Sequence, residues 1–183
     1  MNAMTESHLK SAFGGESMAR MRYDHWATLS EKEGFPGVGR LFRAVAAAEK
    51  IHAGNHFRVL KDAVGDCLVP AGGVFGYRST SQALQGGIDG EAFEIDQMYP
   101  VYKAVAEFQG EKDALRSFHY ALETEKIHKA LYEEAKAAVD QGKDIAWGSL
   151  GVCSVCGYTV KGAAPDKCPI CGAAHDKFEA HRI

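Results

Sequence analysis

Two copies of one tetrapeptide, Glu49-Lys50-Ile51-His52 and Glu125-Lys126-Ile127-His128, set a carboxylate and an imidazole three residues apart. On a helix that spacing projects both side chains from one face. Two such pairs on facing helices can enclose a pair of metal ions, and carboxylate with imidazole suits iron or manganese better than thiolate-seeking metals. A second donor set follows near the C-terminus as Cys153-x-x-Cys156 and Cys168-x-x-Cys171, two knuckles separated by eleven residues. Four thiolates make a tetrahedral site for zinc or for a single iron. From the cysteines alone a structural zinc ribbon and a redox iron both stand; a redox-active neighbour in the same chain favours iron.

Each tetrapeptide also has an upstream glutamate. Glu16 precedes Glu49 by 33 residues and Tyr23 by seven; Glu91 precedes Glu125 by 34 and Tyr99 by eight. The chain therefore reads as two related helical hairpins. One glutamate from each of two helices plus Glu-x-x-His from each of the others is the donor pattern of di-iron carboxylate bundles. The candidate ligands are Glu16, Glu49, His52, Glu91, Glu125 and His128. A lone Glu-x-x-His is an ordinary solvated helix face; two copies on inward stripes with matched upstream glutamates are not. Glu94 has no counterpart in the first hairpin. At i, i+3 from Glu91 it faces the same cavity, and a seventh ligand implies coordination that changes with oxidation state.

These side chains need four long helices. Apolar periodicity predicts them over about 6–33, 38–64, 81–109 and 111–141, with Gly34-Phe35-Pro36-Gly37 as the first turn. Pro100 should kink the third helix just past its carboxylates. Residues 65–80, rich in glycine and without helical period, read as a crossover between hairpins that are not antiparallel neighbours. We expect a mainly α chain, a ferritin-like four-helix bundle over 1–147 with a small metal-binding domain over 148–183. A module of ~35 residues is too small to fold on apolar burial alone, so its metal is also its staple.

Composition narrows the function further. The net charge is −3, with no basic footprint for nucleic acid. No apolar run approaches the ~20 residues that cross a bilayer, and residues 1–10 lack the apolar core of a signal peptide. Cysteines spaced for metal rather than disulfides fit a reducing compartment, and the cytoplasm is expected. Cys67 reads as a bystander thiol. His56, one turn beyond His52, stands where an apolar residue is expected; it is either a satisfied core histidine or a proton donor near the site.

The stretches Gly15-Glu16-Ser17-x-Ala19-Arg20-x-Arg22-Tyr23, Glu49-x-x-His52, Gly90-Glu91-x-x-Glu94 with Met98-Tyr99-Pro100, Glu125-x-x-His128, Cys-x-x-Cys-Gly-Tyr and Cys-Pro-x-Cys-Gly together resemble rubrerythrin across nearly the whole chain. The resemblance implies a di-iron bundle followed by a rubredoxin-like Fe(Cys)4 domain. It implies an oxidoreductase of oxidative-stress defence, a peroxidase that reduces hydrogen peroxide to water. Electrons would come from an NAD(P)H-linked reductase or a rubredoxin and enter through the rubredoxin-type iron at Cys153, Cys156, Cys168 and Cys171. Glu49 and Glu125 would bridge two irons, with Glu91 and His128 on one. Glu16 would hold the other, where His52 and Glu94 exchange. Tyr23 and Tyr99 would donate hydrogen bonds to ligating carboxylates. The resemblance also implies a homodimer, in some members with exchanged helices, that sets the thiolate iron of one subunit beside the di-iron site of the other. A ferroxidase or iron-handling protein on the same bundle is the alternative, and a zinc-ribbon adaptor with a structural bundle metal is a third reading.

Overall fold

A computed structural model describes residues 1–181. Helix α1 (Ala3–Lys32) buries Leu9, Ala12, Ala19, Tyr23 and Trp26 at helical spacing. Gly34, at φ 88°, reverses the chain, and Pro36 sits in the first turn of α2 (Pro36–Val59), where its missing N–H costs nothing. Helix α2 ends five residues before the expected Val64. The crossover leaves there, and its Pro70 carbonyl accepts a 2.9 Å hydrogen bond from the Ser11 hydroxyl of α1. Gly14 permits that approach, since a Cβ would lie 2.8 Å from Val69 Cγ1.

The expected third helix is three pieces. Helix α3 (Thr80–Phe93) starts at Ser79, whose hydroxyl accepts from Gln82 N–H, and gives way to a π-helical turn over Glu94–Met98; α4 (Tyr99–Phe108) follows. Pro100 lacks the donor that would close the turn onto residue 96. Wide turns of this kind insert a residue and gather at functional sites. Helix α5 (Lys112–Val139) completes the bundle. Along α1, α2 and α5 the glutamates and histidines lie between two apolar layers. One is centred on Tyr23, Trp26, Phe42 and Tyr132, the other on Leu9, Tyr99 and Phe118. No helix among the described residues is long and apolar enough to cross a membrane.

The C-terminal module is a three-stranded antiparallel sheet in the order β2-β1-β3, from β1 (Leu150–Cys153), β2 (Thr159–Lys161) and β3 (Phe178–His181). Its tether does structural work on the bundle. The Asp144 carboxylate accepts from the N–H groups of Gly37 (2.7 Å) and Val38 (3.1 Å), capping α2 from 107 residues away. Ile145 follows it into the core. Capping carboxylates stabilise by about 1 kcal/mol. Asp144→Ala is therefore expected to lower stability by about 1 kcal/mol, and Asp144→Asn by less, in chemical or thermal denaturation of the full chain.

Candidate metal centres

The bundle site is built on two histidines whose outer nitrogens are already committed. His52 Nε2 lies 3.0 Å from the Cys156 carbonyl, which only accepts, so Nε2 carries the proton. His128 Nε2 lies 3.0 Å from Thr159 Oγ1, whose own proton goes to the Gly157 carbonyl, so this Nε2 donates too. With Nε2 committed outward, both rings aim Nδ1 inward, at carboxylates. His52 Nδ1 is 2.9 Å from Glu49 Oε2, 2.8 Å from Glu125 Oε1 and 3.8 Å from Glu16 Oε1. His128 Nδ1 is 2.7 Å from Glu125 Oε2 and 3.7 Å from Glu49 Oε1. Lone pair against lone pair is repulsive, so each such contact needs a proton or a metal ion between nitrogen and oxygen.

Two four-residue groups result, Glu16–Glu49–His52–Glu125 and Glu49–Glu91–Glu125–His128, with the donor atoms of each within 4.8 Å of one another. They share Glu49 and Glu125. All six side chains are buried, yet Glu16 Oε2, Glu49 Oε1 and Glu125 Oε1 have no hydrogen-bond partner; Glu125 Oε1 is near His52 Nδ1 but not aligned with a proton on it. Orphaned buried carboxylate oxygens converging with imidazole lone pairs fit two divalent ions of the iron or manganese kind. Glu94 belongs to neither group. It sits half-buried in the π-helical turn, on the wall of an outward-facing cleft.

The charges respond as this crowding requires. Burial, with Glu49 and Glu125 beside it, holds Glu16 well above the usual carboxylate range, and burial with neighbouring carboxylates does the same to Glu91 and Glu94. Burial opposes charge on His52 as well, but Glu125, Glu49 and Glu16 outweigh it and push its pKa well up. Glu125 is also disfavoured by burial, yet between two imidazoles it is brought down to about 2.

Two tyrosines brace the cluster crosswise. Tyr23 of the first hairpin donates to Glu91 of the second at 2.8 Å, and Tyr99 of the second donates to Glu16 of the first. Burial, then the adjacent carboxylate, raises both phenol pKa values, which keeps them donors. His56 is fully buried behind Tyr99. Ser117 Oγ donates to its Nδ1 at 2.8 Å, and its Nε2–H donates to the Tyr99 oxygen at 3.1 Å, so a directed chain Ser117→His56→Tyr99→Glu16 ends on the cluster. Burial and His52 drive the His56 pKa down to about 3, keeping it neutral. Sequence reasoning could not see Ser117, 61 residues from His56.

The four cysteines also converge. Cys153 and Cys171 sulfurs are 3.7 Å apart and Cys156 and Cys168 sulfurs 3.5 Å apart, near the edge of about 3.8 Å of a tetrahedron with metal–sulfur bonds of about 2.3 Å. The knuckles are alike. Gly157 and Gly172 (φ 85° and 74°) close turns onto the Cys153 and Cys168 carbonyls, and Cys153 and Cys168 N–H bond to Tyr158 and Ala173 carbonyls. A hydrogen bond from Cys156 and backbone N–H groups of Val155 and Cys156 bring the Cys153 thiol down to about 5, while Cys171, chiefly by burial, is raised to about 11.

The first knuckle rests on the bundle of its own chain, whereas the resemblance implies a partner subunit's bundle there. Asn55 Nδ2 donates to the Val155 carbonyl (3.0 Å), and Thr124 Oγ1, which donates to the Tyr120 carbonyl (2.7 Å), lies 3.2 Å from the Cys156 carbonyl beside the His52 contact. At Gly157 a Cβ would stand 2.4 Å from His52 Nε2. Cys67 is exposed, apart from both sites.

Comparison with known proteins agrees with this layout. The rubrerythrin family profile matches residues 7–136, and the rubrerythrin rubredoxin-like domain profile matches residues 152–179. Rubrerythrin-2 of Clostridium acetobutylicum is 51% identical over 98% of this chain and 97% of its own length. Nigerythrin of Nitratidesulfovibrio vulgaris is 32% identical over 97% and 86%. Solved nigerythrin structures superpose in a mixed-valent state (TM-score 0.85, 32% identity) and in a fully reduced, all-ferrous state (TM-score 0.83, 31% identity), each covering 96% of this chain and 86% of that one.

The crowded charges predict a pH response of the metal-free chain. A raised Glu16, Glu91, Glu94 and His52 hold protons that the unfolded chain gives up, so above about pH 6.5 the folded state binds more protons than the unfolded. Glu125, ionised in both states there, and His56, neutral in both, drop out. Stability with chelator present is expected to fall as pH rises through the shifted pKa values, by about 1.4 kcal/mol per pH unit for each extra proton. Mn²⁺ or Fe²⁺, which displaces those protons, should flatten or reverse the slope in thermal denaturation.

Proposed function

The chain belongs to the rubrerythrin family, and from that premise we propose that it is a non-haem di-iron peroxidase, reducing hydrogen peroxide to water with electrons received through iron at the four cysteines. The observation that carries this reading is the 3.0 Å contact between the Cys156 carbonyl and His52 Nε2. A storage shell has no need of an electron inlet seated on its metal ligand. The all-ferrous and mixed-valent nigerythrin structures support iron over zinc.

In this reading Glu49 and Glu125, which belong to both donor groups, would serve both ions. Glu91 and His128 would complete the donors of one. Glu16 would hold the other, with His52 and Glu94 as its alternative donors. Two ferrous ions bound there supply the two electrons that cleaving an O–O bond requires. The chain supplies the rest. Glu94, facing the cleft, is placed to pass a proton to a peroxide oxygen. Tyr23 and Tyr99 hold Glu91 and Glu16 in place and leave their remaining oxygens to the metal. At the module the chain contributes proximity, because one hydrogen bond joins the backbone of a thiolate ligand to an imidazole ligand.

An NAD(P)H-linked reductase or a rubredoxin would feed the cysteine site, in the cytoplasm. A homodimer belongs to the same reading, and exposed Leu68, Phe75 and Phe108 support it as apolar surface left for a second copy; the long crossover leaves room for helix exchange.

Metal content and the visible spectrum test the whole. About three irons per chain, one at four thiolates and two in the bundle, are expected, with thiolate–iron colour bleached by reductant and restored by peroxide. Zinc at the cysteines, and no peroxide turnover after iron reconstitution, would transfer the bundle to the ferroxidase reading. Glu94→Ala should keep the metals and lose about a hundredfold in peroxide turnover; unchanged turnover would remove Glu94 from the mechanism.

A further inference from the structure

Of the seven candidate bundle ligands, Glu94 alone lines an outward-facing cleft among the described residues. The cleft lies between α1, α3, the π-helical turn and the crossover, and its volume is about 560 Å³. A water occupies about 30 Å³ of liquid, and hydrogen peroxide is only one oxygen larger. Cavities of about 300–1,000 Å³ are the size that organic ligands fill. The walls match such a ligand, with Pro70, Ala71, Val74, Phe93 and Met98 presenting apolar surface.

Two glycines on the cleft wall point the same way. Gly15 precedes Glu16 and Gly90 precedes Glu91, the same place in each half of the repeat. Both lie inside helices, where glycine costs about 1 kcal/mol relative to alanine. Neither has positive φ. Packing does not require them either: a Cβ at Gly15 would meet nothing within 4 Å, and at Gly90 only the Tyr23 hydroxyl at 4.0 Å. What they leave is open space on the cleft wall, at the positions preceding Glu16 and Glu91. Arg22 lines the same cleft with its guanidinium beside the Tyr23 and Trp26 rings, and its buried Nε has no hydrogen-bond partner.

We propose that this cleft binds organic hydroperoxides and makes them substrates alongside hydrogen peroxide, an inference that rests on the peroxidase reading. The organic group lies against Val74, Phe93 and Met98, with the peroxy group toward Glu94. The reaction is ROOH + 2 e⁻ + 2 H⁺ → ROH + H₂O. The O–O bond breaks, the hydroperoxide is reduced by the electron pair that hydrogen peroxide would have taken, and the two protons end on the alcohol and the water.

The test uses iron-loaded full-length protein with a chemical reductant, and compares kcat/KM for cumene hydroperoxide and hydrogen peroxide. In the wild type both are expected to turn over. Gly15→Leu, which fills the cleft from an open helix position, is expected to lower the cumene-to-hydrogen peroxide ratio about tenfold or more. Phe93→Ala, at an exposed side chain, removes one apolar wall without filling anything and should lower the same ratio. Saturable binding of 2-phenyl-2-propanol, the alcohol product, followed by NMR on oxidised protein, should weaken in both variants. Turnover of hydrogen peroxide alone, with no binding of the alcohol, would overturn the inference and leave the peroxidase reading standing. An unchanged ratio in both variants would overturn it as well. A wild type inert to both peroxides would sink the peroxidase reading itself.

Discussion

Everything in this chain answers to four carboxylates and two imidazoles buried in the middle of a helical bundle. Isolated, each buried charge would be expensive, and like charges this close cannot all ionise. The metal-free chain spreads the cost by holding protons on Glu16, Glu91 and His52. Two divalent ions would remove the need for them. The apolar layers above and below are the scaffold of that arrangement. Tyr23, Phe42 and Tyr132 on one side and Tyr99 and Phe118 on the other keep water out, while Tyr23 and Tyr99 each spend a hydroxyl on a glutamate.

The same histidines explain why the small module sits where it does. A ligating imidazole needs its second nitrogen tied down, because that bond fixes both ring orientation and tautomer. Here the ties come from the thiolate module, through the Cys156 carbonyl for His52 and Thr159 for His128. Docking the module therefore selects the tautomer that aims Nδ1 at the carboxylates. The two sites depend on each other structurally, quite apart from any electron passing between them. Gly157 marks the closest point, since its missing side chain is what lets the knuckle settle on His52.

How much of this was legible in the sequence follows from distance along the chain. Helix periodicity and the Glu-x-x-His spacing are local, so the bundle, the inward stripes and the two donor sets could be read directly, as could the cysteine knuckles. What could not be read is non-local. Asp144 capping α2, Ser117 reaching His56 and Thr159 reaching His128 join residues between 31 and 107 positions apart, and none has a spacing rule. His56 looked out of place on an apolar stripe because its partners lie on other helices. Its counterpart in the second hairpin, Tyr132, is four residues past His128 as His56 is four past His52, and both stand in the aromatic layers.

The one-residue mismatch between the two halves of the repeat has a physical location. Glu16 to Tyr23 is seven residues and Glu91 to Tyr99 is eight. The π-helical turn over Glu94–Met98 absorbs one additional residue, and Pro100 just beyond it cannot restore the regular ladder. Beyond the turn the register is recovered, so Tyr99 still reaches Glu16 as Tyr23 reaches Glu91. Inside it the widened backbone carries Glu94 off the helix line and onto the cleft, where the first hairpin presents no carboxylate. The two-fold likeness of the hairpins builds a symmetric pair of metal positions. The single inserted residue breaks that symmetry on the open side, and it is there that a carboxyl meets whatever enters from solvent.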